Sequence, residues 1–154
     1  MIYPELCQAI KATLESSNRD GVQTYRLLLA GFPSSIVLLV DDNPSLHQLF
    51  RRYLIGLPYT LLSAYSAAEG YRLARQQKPH LILLDIMMPH RDGWEMLRLL
   101  QEDERTRSIP VVICSVLAEE ALANSLSVAG YLRKPVSQSQ LLSVLTTFLP
   151  VRSA

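Results

Sequence analysis

The sequence predicts an α/β fold: a (βα)5 doubly wound, five-stranded parallel sheet in the order 2-1-3-4-5, preceded by a short helical extension. Three features carry that expectation. From Ile36 onward, short apolar runs alternate with longer amphipathic segments. The runs at 36–40, 81–84 and 111–114 are apolar at every position, as strands covered by helices on both faces are. The segments between the runs open and close on residues that start and stop helices.

Taken in order, residues 1–35 stand outside the alternation. Leu6, Ile10 and Leu14 recur at helical spacing, Asn18-Arg19-Asp20-Gly21 reads as a turn, and 25–29 reads as a second short helix. The first strand, 36–40, leads to Asn43 as a cap with Pro44 at the first helical position. That helix carries Leu46, Leu49, Phe50, Tyr53 and Leu54 and stops at Gly56 and Pro58. A second strand spans 59–63; Ser66-Ala67-Ala68-Glu69 has capping-box spacing and opens a helix ending near Lys78-Pro79. After the third strand, 81–84, a helix follows Asp92-Gly93 through Trp94, Met96, Leu97 and Leu100, whose spacing marks a core face. The fourth strand, 111–114, precedes a helix over roughly 117–128, and the fifth spans 130–132. Ser137-Gln138-Ser139-Gln140, another capping box, starts the last helix, which ends at Pro150. The resulting division is an extension over 1–35, a (βα)5 domain over 36–149 and a tail over 150–154.

Composition removes several function classes. At 154 residues the chain has room for about one domain of ~150. A hydrophobic share of 49% against 19% charged excludes a disordered chain. A net charge of +1 excludes attachment to nucleic acid by bulk electrostatics, and direct nucleic-acid contact is not expected. Cys7 and Cys114 lie far apart, so neither a disulfide framework nor a thiolate metal site is expected; Cys114 reads as a small core hydrophobe. No apolar run reaches the ~18 residues of a membrane span and no basic-then-apolar leader opens the chain, so membrane insertion is not expected and the cytoplasm is the expected compartment. His47, His80 and His90 fall on different segments and form no ligand set.

Polar residues converge at one place. In a doubly wound sheet, ligands sit beyond the carboxyl ends of the strands where strand order reverses, here between the first and third strands. Asp41-Asp42 and Asp85 end those two strands. Carboxylates crowded in this way repel one another and call for a cation, and hard oxygen donors suit Mg²⁺. The fourth strand ends in Ser115, and Lys134 follows the fifth. Singly, each is ordinary: Asp41-Asp42-Asn43-Pro44 suits any strand-to-helix turn, and Ser115 any strand end. Asp85 after four apolar residues is harder to place without a partner, because a buried carboxylate is costly unless paired or metal-bound.

With these motifs assembled, the chain resembles the receiver domains of two-component response regulators, CheY-like proteins of flavodoxin-like arrangement. The matching pieces are Val40-Asp41-Asp42-Asn43, Leu84-Asp85-Ile86-Met87-Met88-Pro89 with Asp92-Gly93, Ser115, and Gly130-Tyr131-Leu132-Arg133-Lys134-Pro135. The resemblance covers about residues 36–149. It implies a phosphorelay signalling protein in which Asp85 becomes a 4-aspartylphosphate. The donor would be a phosphohistidine in a sensor histidine kinase or histidine phosphotransfer protein. It implies Mg²⁺, with Mn²⁺ as a substitute, held by Asp42, Asp85 and the Met87 backbone carbonyl, and by Asp41 through water. Lys134 would pair with a phosphoryl oxygen, and Ser115 would donate to another. Tyr131 would turn toward the space Ser115 vacates, remodelling the surface offered to a downstream protein. The only chemistry implied is on the chain itself, phosphorylation and self-dephosphorylation, not turnover of an external substrate.

Two features depart from the family pattern. Val116 stands where a very small residue is usual, and the stretch from Ser115 to Lys134 is a few residues short. Two other readings keep the fold. A haloacid dehalogenase-type aspartyl-phosphate enzyme needs Asp-x-Asp after the first strand, whereas here the acids are adjacent and the acceptor is on the third. A phosphorylation-independent interaction module would not need Asp42, Asp85, Ser115 and Lys134 together. Since the residues outside 36–149 are too few for an effector domain, output is expected to pass to another protein. The Leu6, Ile10, Leu14 stripe is expected to pack on the domain or form a homodimer contact.

Overall fold

A computed structural model of the chain describes residues 12–19, 22–29, 34–89, 92–116 and 128–149. The chain divides into two units, 1–33 and 34–154.

In the first unit the helical expectation is overturned. Strands β1 (Ala12–Arg19) and β2 (Val22–Leu29) pair antiparallel, from Ala12 opposite Leu29 to Arg19 opposite Val22. The local chemistry favours this outcome. Residues 15–18 read Glu-Ser-Ser-Asn, and Ser and Asn compete with helical backbone bonds; β2 opens Val-Gln-Thr-Tyr, rich in β-branched and aromatic residues. Asp20-Gly21, between the strands, is a strong hairpin signal. Leu14 therefore belongs to a period of two, opposite Leu27, and not to a helical stripe. Leu6 and Ile10 lie outside the described residues.

The second unit is the expected sheet. Its elements are β3 (Ser35–Val40), α1 (Pro44–Tyr53), β4 (Tyr59–Ala64), α2 (Ala67–Gln77), β5 (Leu81–Leu84), α3 (Asp92–Glu102), β6 (Val111–Ser115), β7 (Gly130–Arg133) and α4 (Gln138–Phe148). The five strands run in the order β4-β3-β5-β6-β7, and every pairing is parallel. Of the helix expected over 117–128, residues 117–127 lie outside the described residues, as does the tail.

Alternation along the strands sorts the core into two layers. Val37, Leu39, Leu81, Leu83, Val112 and Cys114 face Leu46 and Phe50 of α1 and Leu141 and Leu145 of α4. Leu38, Val40, Ile82, Leu84, Val111 and Ile113 face Ala67 and Ala74 of α2 and Met96, Leu97 and Leu100 of α3. Continuous apolar runs are what a sheet buried on both faces requires. The helices start on side-chain caps: Asn43 accepts from Ser45 N–H at 3.0 Å, Ser66 from Glu69 N–H at 3.2 Å, and Ser137 forms a reciprocal box with Gln140. At α2 the reciprocal half is displaced by one residue, because Glu69 accepts from Tyr65 N–H at 2.9 Å.

Among the described residues, no helix is long and apolar enough to cross a membrane.

Candidate functional site

Because β3 and β5 are neighbours, the residues that follow them are brought together at the carboxyl edge of the sheet. Asp85 N–H donates to Val40 O at 2.9 Å and Asp41 N–H to Ala64 O at 3.1 Å, so both residues continue the sheet ladder before the chain turns away. Carboxylate oxygens of Asp41, Asp42 and Asp85 lie within 4.8 Å of one another. Asp41 is fully buried and Asp85 nearly so, at 0% and 5% exposure, while Asp42 is open to solvent.

Each buried acid is held by donors. Asp41 Oδ1 accepts from Asn43 N–H at 2.8 Å, and Asp85 Oδ1 from Met87 N–H at 2.7 Å. Lys134, directly after β7, reaches across the sheet edge, and its Nζ donates to Oδ2 of both Asp41 and Asp85 at 2.5 Å. Burial works to lower the Lys134 pKa, but the hydrogen bonds and the charges of Asp41 and Asp85 outweigh it and hold the ammonium above the usual lysine value. The three acids present a hard-oxygen donor set with Asp42 outermost. Asp41 and Asp85 are each engaged at both oxygens, by Asn43 or Met87 N–H and by Lys134, and Asp42 is the acid open to solvent.

The remaining expected residues close the far side. Ser115, at the end of β6, is buried, and its carbonyl accepts from Lys134 N–H at 2.9 Å and from the Tyr131 hydroxyl at 3.3 Å. Tyr131, half-buried on β7, has its phenol pKa raised chiefly by that burial. Beneath the site, burial pushes the Cys114 thiol up to about 12, consistent with an inert core residue. Met87 and Val116 stand exposed at the rim. Asp41, Asp42, Asp85, Met87, Ser115 and Lys134 thus lie along the carboxyl edge of the sheet, and Tyr131, paired with Ile113 inside it, reaches that edge through its hydroxyl.

One glycine fixes the loop that follows Asp85. A Cβ on Gly93, in the first turn of α3, would stand 2.4 Å from the Asp85 carbonyl oxygen and 2.6 Å from Ile86 Cα. The Gly93→Ala variant is expected to lose about 2 kcal/mol in urea unfolding, the middle of the range for forced overpacking. Loss below about 0.5 kcal/mol would show that the loop yields without cost.

One residue of the site was not singled out by sequence. His47, buried on α1, has Nε2 2.8 Å from the Asp41 carbonyl oxygen, and its ring packs against Tyr65. The signal was a polar residue on the buried stripe of Leu46, His47 and Phe50. His80 accepts at Nδ1 from Ile36 N–H at 3.0 Å, at the opposite end of β3, and His90 lies outside the described residues.

Comparison with known proteins agrees with this arrangement. Residues 37–146 match the family model of the response regulator receiver domain. The chain is 33% identical over 116 residues to protein PilH of Pseudomonas aeruginosa, covering 73% of this chain and 96% of PilH. It is 33% identical over 122 residues to hybrid signal transduction histidine kinase D of Dictyostelium discoideum, covering 77% of this chain but only 8% of that kinase. The solved receiver domain of sensor histidine kinase PA1611 of P. aeruginosa, with magnesium in its active-site cleft, superimposes with a TM-score of 0.67 at 24% identity, over 75% of this chain and 97% of that one. With the parallel 2-1-3-4-5 sheet and the match over 37–146, the chain belongs to the response regulator receiver domain family of two-component signalling.

Proposed function

We propose that this chain receives a phosphoryl group on Asp85 from a phosphohistidine of a histidine kinase or phosphotransfer protein and passes the signal to a downstream protein. The observation that carries the reading is the Lys134 ammonium bridging Asp41 and Asp85 beside the open Asp42 carboxylate. In the transfer, a carboxylate oxygen of Asp85 forms a bond to phosphorus as the phosphorus–nitrogen bond of the donor breaks, and the imidazole leaves as the neutral base after taking up a proton. The protein's work is positioning and neutralising charge. Lys134, already beside Asp85 Oδ2, pairs with a phosphoryl oxygen as a point charge, and the Ser115 hydroxyl donates to another.

Asp42, Asp85 and the Met87 carbonyl would hold Mg²⁺ or Mn²⁺, with Asp41 acting through water. When bound, the ion offsets the negative charge of the acids and of the incoming group. Movement of Ser115 toward the phosphoryl group, followed by Tyr131, would then change the surface of the 117–128 segment, β7 and α4. Catalysis is confined to this chain's own acyl phosphate, in a cytoplasmic setting, and the domain that carries it extends over 36–149.

The test is intact mass after incubation with acetyl phosphate, with and without Mg²⁺, and with a histidine-phosphorylated phosphotransfer protein. One added phosphoryl group, dependent on Mg²⁺ and carried by the peptide containing Asp85, is expected. No adduct from either donor overturns the reading and favours an interaction module; steady release of phosphate from unrelated esters favours a hydrolytic enzyme.

Val116 bears on the same assay. Its branched side chain follows Ser115 and is 59% exposed at the mouth of the site. Val116→Ala is expected to be labelled by acetyl phosphate about threefold faster, a barrier change of roughly 0.6 kcal/mol. Equal rates would remove any gating role for Val116.

A further inference from the structure

We infer that His47 is a positioning residue of the acid site: by donating from Nε2 to the Asp41 carbonyl it sets how the Asp41-Asp42 pair is presented to a divalent cation. The inference rests on the proposed reading of that site as a metal-dependent phosphoacceptor. His47 is 1% exposed, and the 2.8 Å contact is itself buried. A carbonyl only accepts, so Nε2 carries the hydrogen and is the donor in this bond. Nδ1 is buried with no hydrogen-bond partner.

Burying the unpaired Nδ1 is unfavourable; an apolar ring of similar size would remove that penalty but leave the Asp41 carbonyl without the His47 donor. What histidine adds at this position is the Nε2 donor. The ring is braced to deliver it: it packs on Tyr65, just past β4, with centroids 4.3 Å apart at 43°. Tyr65 is in turn fixed through its N–H to Glu69.

The carbonyl that His47 holds belongs to the peptide joining Asp41 to Asp42. Rotation of that peptide would swing the exposed Asp42 carboxylate. Asp41 is anchored elsewhere, through its N–H to Ala64 and its carboxylate to Asn43 and Lys134. Among the described residues, no side-chain hydrogen bond restrains the Asp42 carboxylate, so the backbone sets the point and direction from which its rotamers reach out. Loss of a group that orients a ligand from behind in this way commonly costs about 10- to 100-fold in metal affinity.

The test compares wild type with His47→Gln, which places a donor near the Nε2 position, His47→Asn, which places one near Nδ1, and His47→Phe, which keeps a ring without a donor. Mg²⁺ is titrated calorimetrically into the full chain, and acetyl phosphate labelling is followed against Mg²⁺ concentration. The Phe and Asn variants are expected to need about tenfold more Mg²⁺ for half-saturation, with Gln within about twofold of wild type. At saturating Mg²⁺ the labelling rates of all the variants should return to the wild-type value, a split that general loosening of the fold would not produce. If Phe fails to fold, the contrast between Gln and Asn carries the same decision. Equal Mg²⁺ affinity in wild type, Asn and Phe, or equal weakening in Gln and Asn, overturns the positioning role. A wild-type chain that binds no Mg²⁺ overturns instead the reading of the acid site on which it rests.

Discussion

Asp85→Ala is expected to take up no phosphoryl group from any donor that labels the wild-type chain, a loss of at least about a thousandfold or roughly 4 kcal/mol in the transfer barrier. The size of the effect follows from the failure of both neighbours as substitutes. Asp41 is fully buried, with one oxygen accepting from Asn43 N–H and the other from Lys134. Asp42 is open to solvent, whereas the ion pairs of Lys134, the cation that would meet the developing charge, run to Asp41 and Asp85. The variant should nevertheless fold, because it removes one of three mutually repelling acids while Lys134 keeps Asp41 as a partner. What it should lose is stabilisation by Mg²⁺. A wild-type chain at tenfold excess over the dissociation constant gains about 1.4 kcal/mol, and the variant's unfolding should shift much less on adding the ion. Transfer of the label to Asp41 or Asp42 in the variant would show that the site does not discriminate among its acids.

Much of this arrangement was legible in the sequence because the signals are local. Apolar runs at 36–40, 81–84 and 111–114 place strands to within a residue, since burial on both faces leaves no polar position to blur the pattern. The caps at Asn43, Ser66 and Ser137 mark helix starts through bonds spanning two or three residues. Asp41, Asp42, Asp85, Ser115 and Lys134 follow from one rule about strand ends. The N-terminal hairpin was not legible by the same route. The step from Ile10 to Leu14 fits one turn of a helix as readily as it fits a period of two, and only the cross-strand pairing of Leu14 with Leu27 decides between them. The role of His47 was hidden for a different reason. Its partners, the Asp41 carbonyl and the Tyr65 ring, meet it only after α1 has packed across β3 and β4. A helical stripe shows that His47 faces inward, and nothing in the stripe shows a carbonyl waiting there.

Lys134→Met is expected to destabilise the Mg²⁺-free chain by about 3 kcal/mol, the low end for removing one partner of a buried ion pair. The variant leaves Asp41 and Asp85, at 0% and 5% exposure, facing each other with no cation between them. The low end applies because the lysine side chain retains 16% exposure and the neighbouring Asp42 opens the site to water. The pH dependence has a definite sign. The folded-state pKa of Lys134 is raised from 10.5, so its contribution is complete below that value and fades only as pH rises past it. The deficit of the variant in urea unfolding should therefore narrow in strong alkali, where the wild-type ammonium is lost. Mg²⁺ should act in the opposite sense to the mutation. Removing a positive charge from beside the acids favours a divalent cation there, so the ion should stabilise Lys134→Met more than wild type and narrow the gap between them. Phosphoryl transfer should remain slow even at saturating Mg²⁺, because the ion replaces the charge of Lys134 among the acids but not its contact with the incoming oxygen. A gap that Mg²⁺ leaves unchanged would mean that Lys134 and the cation do not answer to the same carboxylates.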